Sequence, residues 1–263
     1  AFPRNRTLAL FIAGTRVRFL SRTLLQQVIL PCVRDGFEVH VYLSLVGHQN
    51  RTVAYEGFGI VPDPETARLS AHDFLEYLRL GIRGVGGHLT YYEHLHGPEP
   101  LDALPADDAF RGRMQQYSPY SDSRGRAVLR VWKARERMWR VAQGIERQRG
   151  VLYQFVLWTR DDAFWIGQVR LRRFPQAVGG NVLFSRDCRR WGGINDKTVL
   201  LGRAAAPALM TAYRSFWDPG MDGTVNAEQY LKHLAVRRNV QLQPVPFALL
   251  PSLDAMVSNE TQA

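Results

Sequence analysis

The sequence predicts an α/β fold, a mixed and mostly parallel central sheet flanked by helices, and three stretches carry that prediction. Residues 7–13 (TLALFIA) are an apolar, strand-forming run, followed by a helical stripe and then by a second such run at 37–45 (FEVHVYLSL). Strand, helix and strand in close succession make a βαβ unit, which brings its two strands together in parallel. Residues 152–158 (LYQFVLW) are short, apolar and aromatic enough for a strand buried on both faces. Between these regions, Val128, Val131, Trp132, Met138, Trp139, Ala142 and Ile145 recur at helical spacing and predict a long amphipathic helix over 125–149.

The remaining elements come in chain order. The first strand stops at Gly14-Thr15-Arg16, and Leu24, Leu25, Val28, Ile29 and Val33 form the stripe of a helix that ends near Asp35-Gly36. Gly, Pro and Asn punctuate residues 46–65, which read as a long loop. A helix over 70–82 turns Phe74, Leu75, Leu78 and Ile82 inward, with Ser70 or His72 near its start. Residues 88–96 (HLTYYEHLH) form a candidate strand, and 97–125 form a surface excursion or lid. After the central strand come a short strand at 181–184, a Gly192-Gly193 turn, a strand from 198, an Ala-rich helix from Gly202 to about Phe216 and a helix over 225–236. Pro244 and Pro246 push the closing strand at 240–249 to a sheet edge. Residues 1–252 are expected to form a single domain and 253–263 a tail.

A net charge of +10 over 263 residues, mostly from arginine, points to phosphate-bearing or otherwise anionic partners: nucleic acid, a nucleotide-sugar or an acidic membrane surface. The long helix carries Arg126, Arg130, Lys133, Arg137 and Arg140 on its polar face, yet no helix-turn-helix, zinc-finger or aromatic RNA-binding signature accompanies them. Nucleic acid is therefore not the favoured partner. Cys32 and Cys188 allow one optional bridge and exclude a disulfide scaffold. The Asn-x-Thr triplets at Asn5, Asn50 and Asn259 suggest a secretory-pathway protein. No run approaches the ~20 apolar residues of a membrane span. The chain does not begin with methionine, so an N-terminal membrane anchor is expected outside it.

The central strand ends in Arg160-Asp161-Asp162. Ligands of open α/β sheets bind at the carboxyl ends of the strands, and paired carboxylates there suit Mg²⁺ or Mn²⁺, which could hold the phosphates of a nucleotide. A turn or helix cap is the other reading of the same dipeptide. The loop from Gly14 to Arg18 shares this edge, where a base or phosphate could meet backbone N–H groups and Arg16 or Arg18. His94 and His96 are a rival metal pair without an obvious third ligand.

From residue 126 to 249 the motifs come in a telling order: the long helix, LYQFVLWTRDDAFW, WGGINDKTVLLGR with its helix, then NAEQYLKHL and the late strand. This order resembles nucleotide-sugar-dependent glycosyltransferases of the GT-A fold. More narrowly it resembles a little-characterised eukaryotic and viral group in which a strand ends in Arg-x-Asp and a later turn reads Asn-Asp-basic. Asp161 stands where other members often have proline, and the superfamily's usual Asp-x-Asp is absent. The resemblance implies a UDP- or GDP-linked sugar as donor and a glycan or glycoprotein acceptor. It implies Mn²⁺ or Mg²⁺ at Asp162, with Asp161 direct or through water and His233 as a late ligand. Gly14, Thr15 and Arg16 would receive the nucleoside, Arg160 and Lys197 would face the phosphates, and Asp196, or else Glu228, would take the acceptor proton. The location implied is the Golgi lumen. A non-catalytic binder of nucleic acid or another polyanion, and a degenerate transferase scaffold, are the alternatives.

Overall fold

The computed structural model describes residues 6–47, 58–60, 66, 68–98, 100–101, 112, 122–188, 190–221, 223–254 and 256–258. The apolar run at the start forms β1 (Thr7–Thr15), and helix α1 follows through three continuous pieces, Ser21–Leu24, Leu25–Ile29 and Leu30–Arg34. Then come β2 (Glu38–Val46), β3 (Phe58–Ile60), α2 (Ala71–Gly84), β4 (His88–Leu95) and the long α3 (Asp122–Arg149). The second half contains β5 (Phe155–Arg160), β6 (Ala163–Trp165), β7 (Val182–Arg186) and β8 (Thr198–Gly202). It closes with α4 (Ala206–Met210), α5 (Ala212–Phe216), α6 (Ala227–Arg237), β9 (Gln241–Val245), β10 (Ser252–Asp254) and β11 (Met256–Ser258).

The central sheet has seven strands in the order β4-β2-β1-β5-β8-β7-β9. Strands β4, β2, β1 and β5 are mutually parallel, β8 runs against both its neighbours, and β7 and β9 are parallel to each other. This is the mixed, mostly parallel sheet expected from the βαβ pattern. Alternation along β1 divides the core: Leu8, Leu10 and Ile12 face α1 and α2, while Ala9, Phe11 and Ala13 face α3 and α4–α6. All six are buried. Burying a large apolar side chain contributes about 1.5–3 kcal/mol, so two apolar layers on one strand fix it at the middle of the sheet. Trp139 of α3 meets Phe11 edge-on, with ring centroids 6.1 Å apart.

Helix α1 is π-helical over Leu25–Ile29, just before Pro31. Proline has no N–H for the turn behind it, and the Gln27 carbonyl instead accepts the Val169 N–H at 2.8 Å. A break in the helix thus fastens the segment after β6.

The structure differs from the sequence reading at three places in its second half. The Ala-rich helix is divided at Thr211, whose Oγ1 donates to the Pro207 carbonyl at 2.8 Å. The closing strand stops at Val245, and Phe247–Leu249 form a 3₁₀ turn. Part of the stretch read as a tail pairs instead, β10 with β6 and β11 with β3, both antiparallel. Cys32 is buried, Cys188 is exposed, and both are free thiols. The three Asn-x-Thr asparagines, most of the 46–65 loop and most of the 97–125 excursion lie outside the described residues. Among the described residues no helix is long and apolar enough to cross a membrane.

One buried acid ties α3 to the turn after β8. The Glu146 carboxylate accepts Arg203 Nε and Nη2, each at 2.6 Å, and the Tyr153 N–H at 2.9 Å. Glu146→Ala leaves a guanidinium and a backbone donor without partners, and is expected to lower stability by about 3–5 kcal/mol in urea denaturation.

Candidate functional site

The site is built where β1 and β5 end side by side. Gly14 leaves the space that the Asp161 carboxyl group fills; a Cβ there would overlap it. The Asp161 carboxylate accepts the Thr15 N–H at 2.6 Å and two donors of Arg18, Nη2 at 2.9 Å and Nε closer still. Its backbone carbonyl accepts the Leu20 N–H at 3.1 Å. Asp162 is held in the same manner by Arg160, whose Nε and Nη2 donate to it at 2.8 and 2.7 Å, with Arg18 Nη1 3.5 Å away. Each aspartate is only 2% exposed. Burial pushes the Asp162 carboxyl up, but Arg160 and Arg18 outweigh it and hold the group below the usual carboxylate range.

Mg²⁺ and Mn²⁺ require carboxylate oxygens with free lone pairs, largely shared with water. Here both carboxylates are clasped by guanidinium forks and nearly closed to solvent, so a cation at either one would lie directly against arginine charges. Among the described residues no group of three His, Cys, Asp or Glu side chains is placed to hold a metal. The donor set, as arranged, does not fit the divalent cation that the sequence reading expects.

A cavity of about 170 Å³ opens beside this junction, lined by Gly14, Thr15 and Arg18, by Ser44 of β2 and by Arg130 and Ala134 of α3. On its far side the antiparallel direction of β8 matters. Its first residues lie at the edge where parallel strands end, so Asn195-Asp196-Lys197 arrive beside β5. Trp158 Nε1 donates to the Asp196 carbonyl at 3.0 Å, and Lys197 Nζ pairs closely with Asp254 of β10. Helix α6 joins from above. Asn226 caps it by accepting the Gln229 N–H at 2.8 Å, and the Glu228 carbonyl accepts the Ile194 N–H at 3.1 Å. Gly193 has no room for a side chain against the Glu228 backbone. Glu228 is consequently fixed beside Asp196. Burial first, then the Asp196 charge, push its carboxyl up to about 7.

Gly14, Thr15, Asp161, Asp162, Arg160, Asp196, Lys197 and Glu228 thus lie toward one edge. Arg16 does not turn into it: Nη1 donates to the Leu69 carbonyl at 2.9 Å and the guanidinium lies over the Phe74 ring. Arg18 occupies the site instead. His233 is exposed and lines a separate cavity with Gly192 and Lys232; no contact among the described residues joins it to Asp161 or Asp162. His94 and His96 lie 5.3 Å apart, ring to ring, and belong to no three-ligand cluster among the described residues. On the basic face of α3, Arg137 binds Glu93, Arg140 binds Glu136 and Lys133 donates to the Pro100 carbonyl, so these charges have protein partners.

Arg135 is a residue the sequence reading misses. It is 3% exposed, its guanidinium lies 4.5 Å above the Trp158 ring, and Nε has no hydrogen-bond partner. Burial lowers its pKa to about 10 despite the nearby Asp196 and Asp161. The signal was present: a charged residue stands on the apolar stripe between Trp132 and Met138-Trp139.

No protein-family model matches the chain, and no curated protein matches its sequence. Solved structures do. One is a glycosyltransferase involved in glycosylation of the major capsid of PBCV-1, at 10% identity and TM-score 0.36, covering 91% of this chain and 83% of that one. A second is the glycosyltransferase GlyE of Streptococcus pneumoniae TIGR4, at 11% identity and TM-score 0.43, covering 92% of this chain but 46% of GlyE. A third is mouse xyloside xylosyltransferase 1, at 12% identity and TM-score 0.41, covering 93% and 86%. All three are glycosyltransferases. This chain spans under half the length of GlyE. With TM-scores below 0.5, these likenesses leave the functional reading to rest on the site itself.

The paired aspartates lead to two expected outcomes. Asp161→Ala removes the partner of Arg18 and of the Thr15 N–H, and is expected to cost about 3–5 kcal/mol in denaturant unfolding. The folded-state pKa of Asp162 is depressed, so its pair contributes stability that is present above the unfolded value near ~4 and lost as pH falls through the folded value. Urea midpoints measured from pH 7 to pH 2 should fall less steeply in Asp162→Asn than in the wild type.

Proposed function

We propose that the chain is a glycosyltransferase that moves a sugar from a nucleoside-diphosphate donor to a hydroxyl of a glycan or glycoprotein acceptor. The observation that carries this reading is a carboxyl group raised to about 7, Glu228, placed beside Asp196 on the same sheet edge as a cleft lined by Arg18 and Arg130. A general base works best with a pKa near the operating pH, and a phosphate leaving group is met by cations. The order of motifs from residue 126 to 249 supports the same reading.

In this account the nucleoside lies in the cavity over β1, β2 and α3, and the diphosphate lies over the end of β5. The acceptor hydroxyl approaches from the side of β8 and α6. Its oxygen bonds the anomeric carbon, the bond from that carbon to the diphosphate oxygen breaks with its electron pair leaving on phosphate, and Glu228 takes the hydroxyl proton. Asp196 supports the base as the charge that raises it, a reversal of the order expected from the sequence. UDP and GDP are the two nucleotides to test first, and the Asn-x-Thr triplets support a place in the secretory lumen.

The test is transfer from radiolabelled UDP- and GDP-sugars to a panel of oligosaccharide and glycopeptide acceptors. The rate should rise with pH through about 7 as Glu228 ionises. Glu228→Gln should lower kcat by about 10²–10⁴-fold, and Asp196→Asn should move the acid limb to lower pH. Unchanged turnover in Glu228→Gln would remove it from the base role.

A further inference from the structure

We propose that the donor diphosphate is neutralised by the guanidinium groups of Arg18, Arg160 and Arg135, and that no divalent cation takes this role. The inference rests on the transferase reading above and concerns the same edge. It inverts the parts given to the acidic pair: Asp161 and Asp162 serve to aim arginines.

The geometry argues for this in three ways. First, each aspartate takes the same two donors of its arginine, Nε and Nη2, in a two-bond fork. A guanidinium has five N–H groups in one plane, so such a fork fixes its orientation and leaves the remaining donors for another acceptor. Second, these arginines are less buried than the acids that hold them. The Arg18 side chain is 17% exposed and lines the cavity, and that of Arg160 is 28% exposed, against 1% and 3% for the two carboxylates. Open cations on closed anions suit an anionic ligand; a cation site needs the converse. Third, Arg135 is buried with Nε unpartnered and no carboxylate bonded to it among the described residues, its guanidinium spread over Trp158 at the end of β5. A buried donor left without a partner is costly, and a phosphate oxygen would satisfy it. Planar forks also match phosphate geometry with two bonds at once, which a lysine cannot do.

The experiment is isothermal titration of UDP and GDP into the full chain in EDTA and, separately, in Mn²⁺, with the wild type, Arg160→Lys and Arg135→Gln. One diphosphate is expected to bind with the same Kd, within about twofold, in EDTA and in Mn²⁺. Arg160→Lys keeps the charge but loses the fork and should weaken binding at least tenfold, as should Arg135→Gln. Thermal melts without ligand check that each variant is folded; if Arg135→Gln is not, the partly exposed Arg160 decides. Binding that appears only with Mn²⁺ and vanishes in EDTA overturns the inference and leaves the transferase reading standing, as does unchanged affinity in Arg160→Lys. Binding of neither diphosphate under either condition overturns both.

Discussion

Two strands from distant parts of the chain, β1 and β5, stop at the same height, and a single buried carboxylate joins the segments beyond them. Asp161 accepts the first N–H beyond Gly14, clasps Arg18, and through its own carbonyl receives Leu20 at the threshold of α1. Taking one charge out of water is unfavourable by several kcal/mol and becomes tolerable only when a partner and hydrogen bonds accompany it. The loop after β1, the turn after β5 and the start of α1 therefore hold one another in place. Gly14 is part of the same arrangement, since the carboxyl group occupies the volume a side chain would need.

The same sheet edge holds carboxyl groups that are driven in opposite directions. Burial raises both Asp162 and Glu228, yet Asp162 ends below its ordinary range and Glu228 ends near 7. Neighbours make the difference. Asp162 sits in the fork of Arg160 beside Arg18, whereas Glu228 sits against the like charge of Asp196. Groups pushed apart in this way divide roles, one ionised at neutral pH and one able to exchange a proton there.

Much of this was legible in the chain. The runs that became β1, β2 and β5 are apolar on both faces because helices cover both sides of the sheet, and α3 shows its stripe plainly. The edge location of the acidic pair could be read from where an apolar run stops. Partner choice could not be read. Arg16 and Arg18 are chemically alike and two residues apart, and only the packing of Phe74 and the Leu69 carbonyl draws Arg16 away. Similarly, nothing local marks Asp254 as the partner of Lys197, because that contact requires β10 to return beside β6. The break at Thr211 comes from a hydroxyl that satisfies a helical carbonyl, a competition that helix propensity averages away.

The reversed direction of β8 has a consequence for how such a molecule can change. Because β7 runs toward the edge and β8 away from it, the connection between them begins and ends at the site; Asp187, Cys188 and residues 190–192 are exposed, while Ile194 and Asn195 are buried. Doubling the length of such a loop costs only about 0.6 kcal/mol of closure entropy. The exposed residues before Gly193 are therefore open to insertion and exchange, while Gly193, Ile194 and Asn195 on one side of the cleft, like Gly14 and Asp161 on the other, are locked into close contacts. The rim of the edge is free to diversify and its floor is bound to stay.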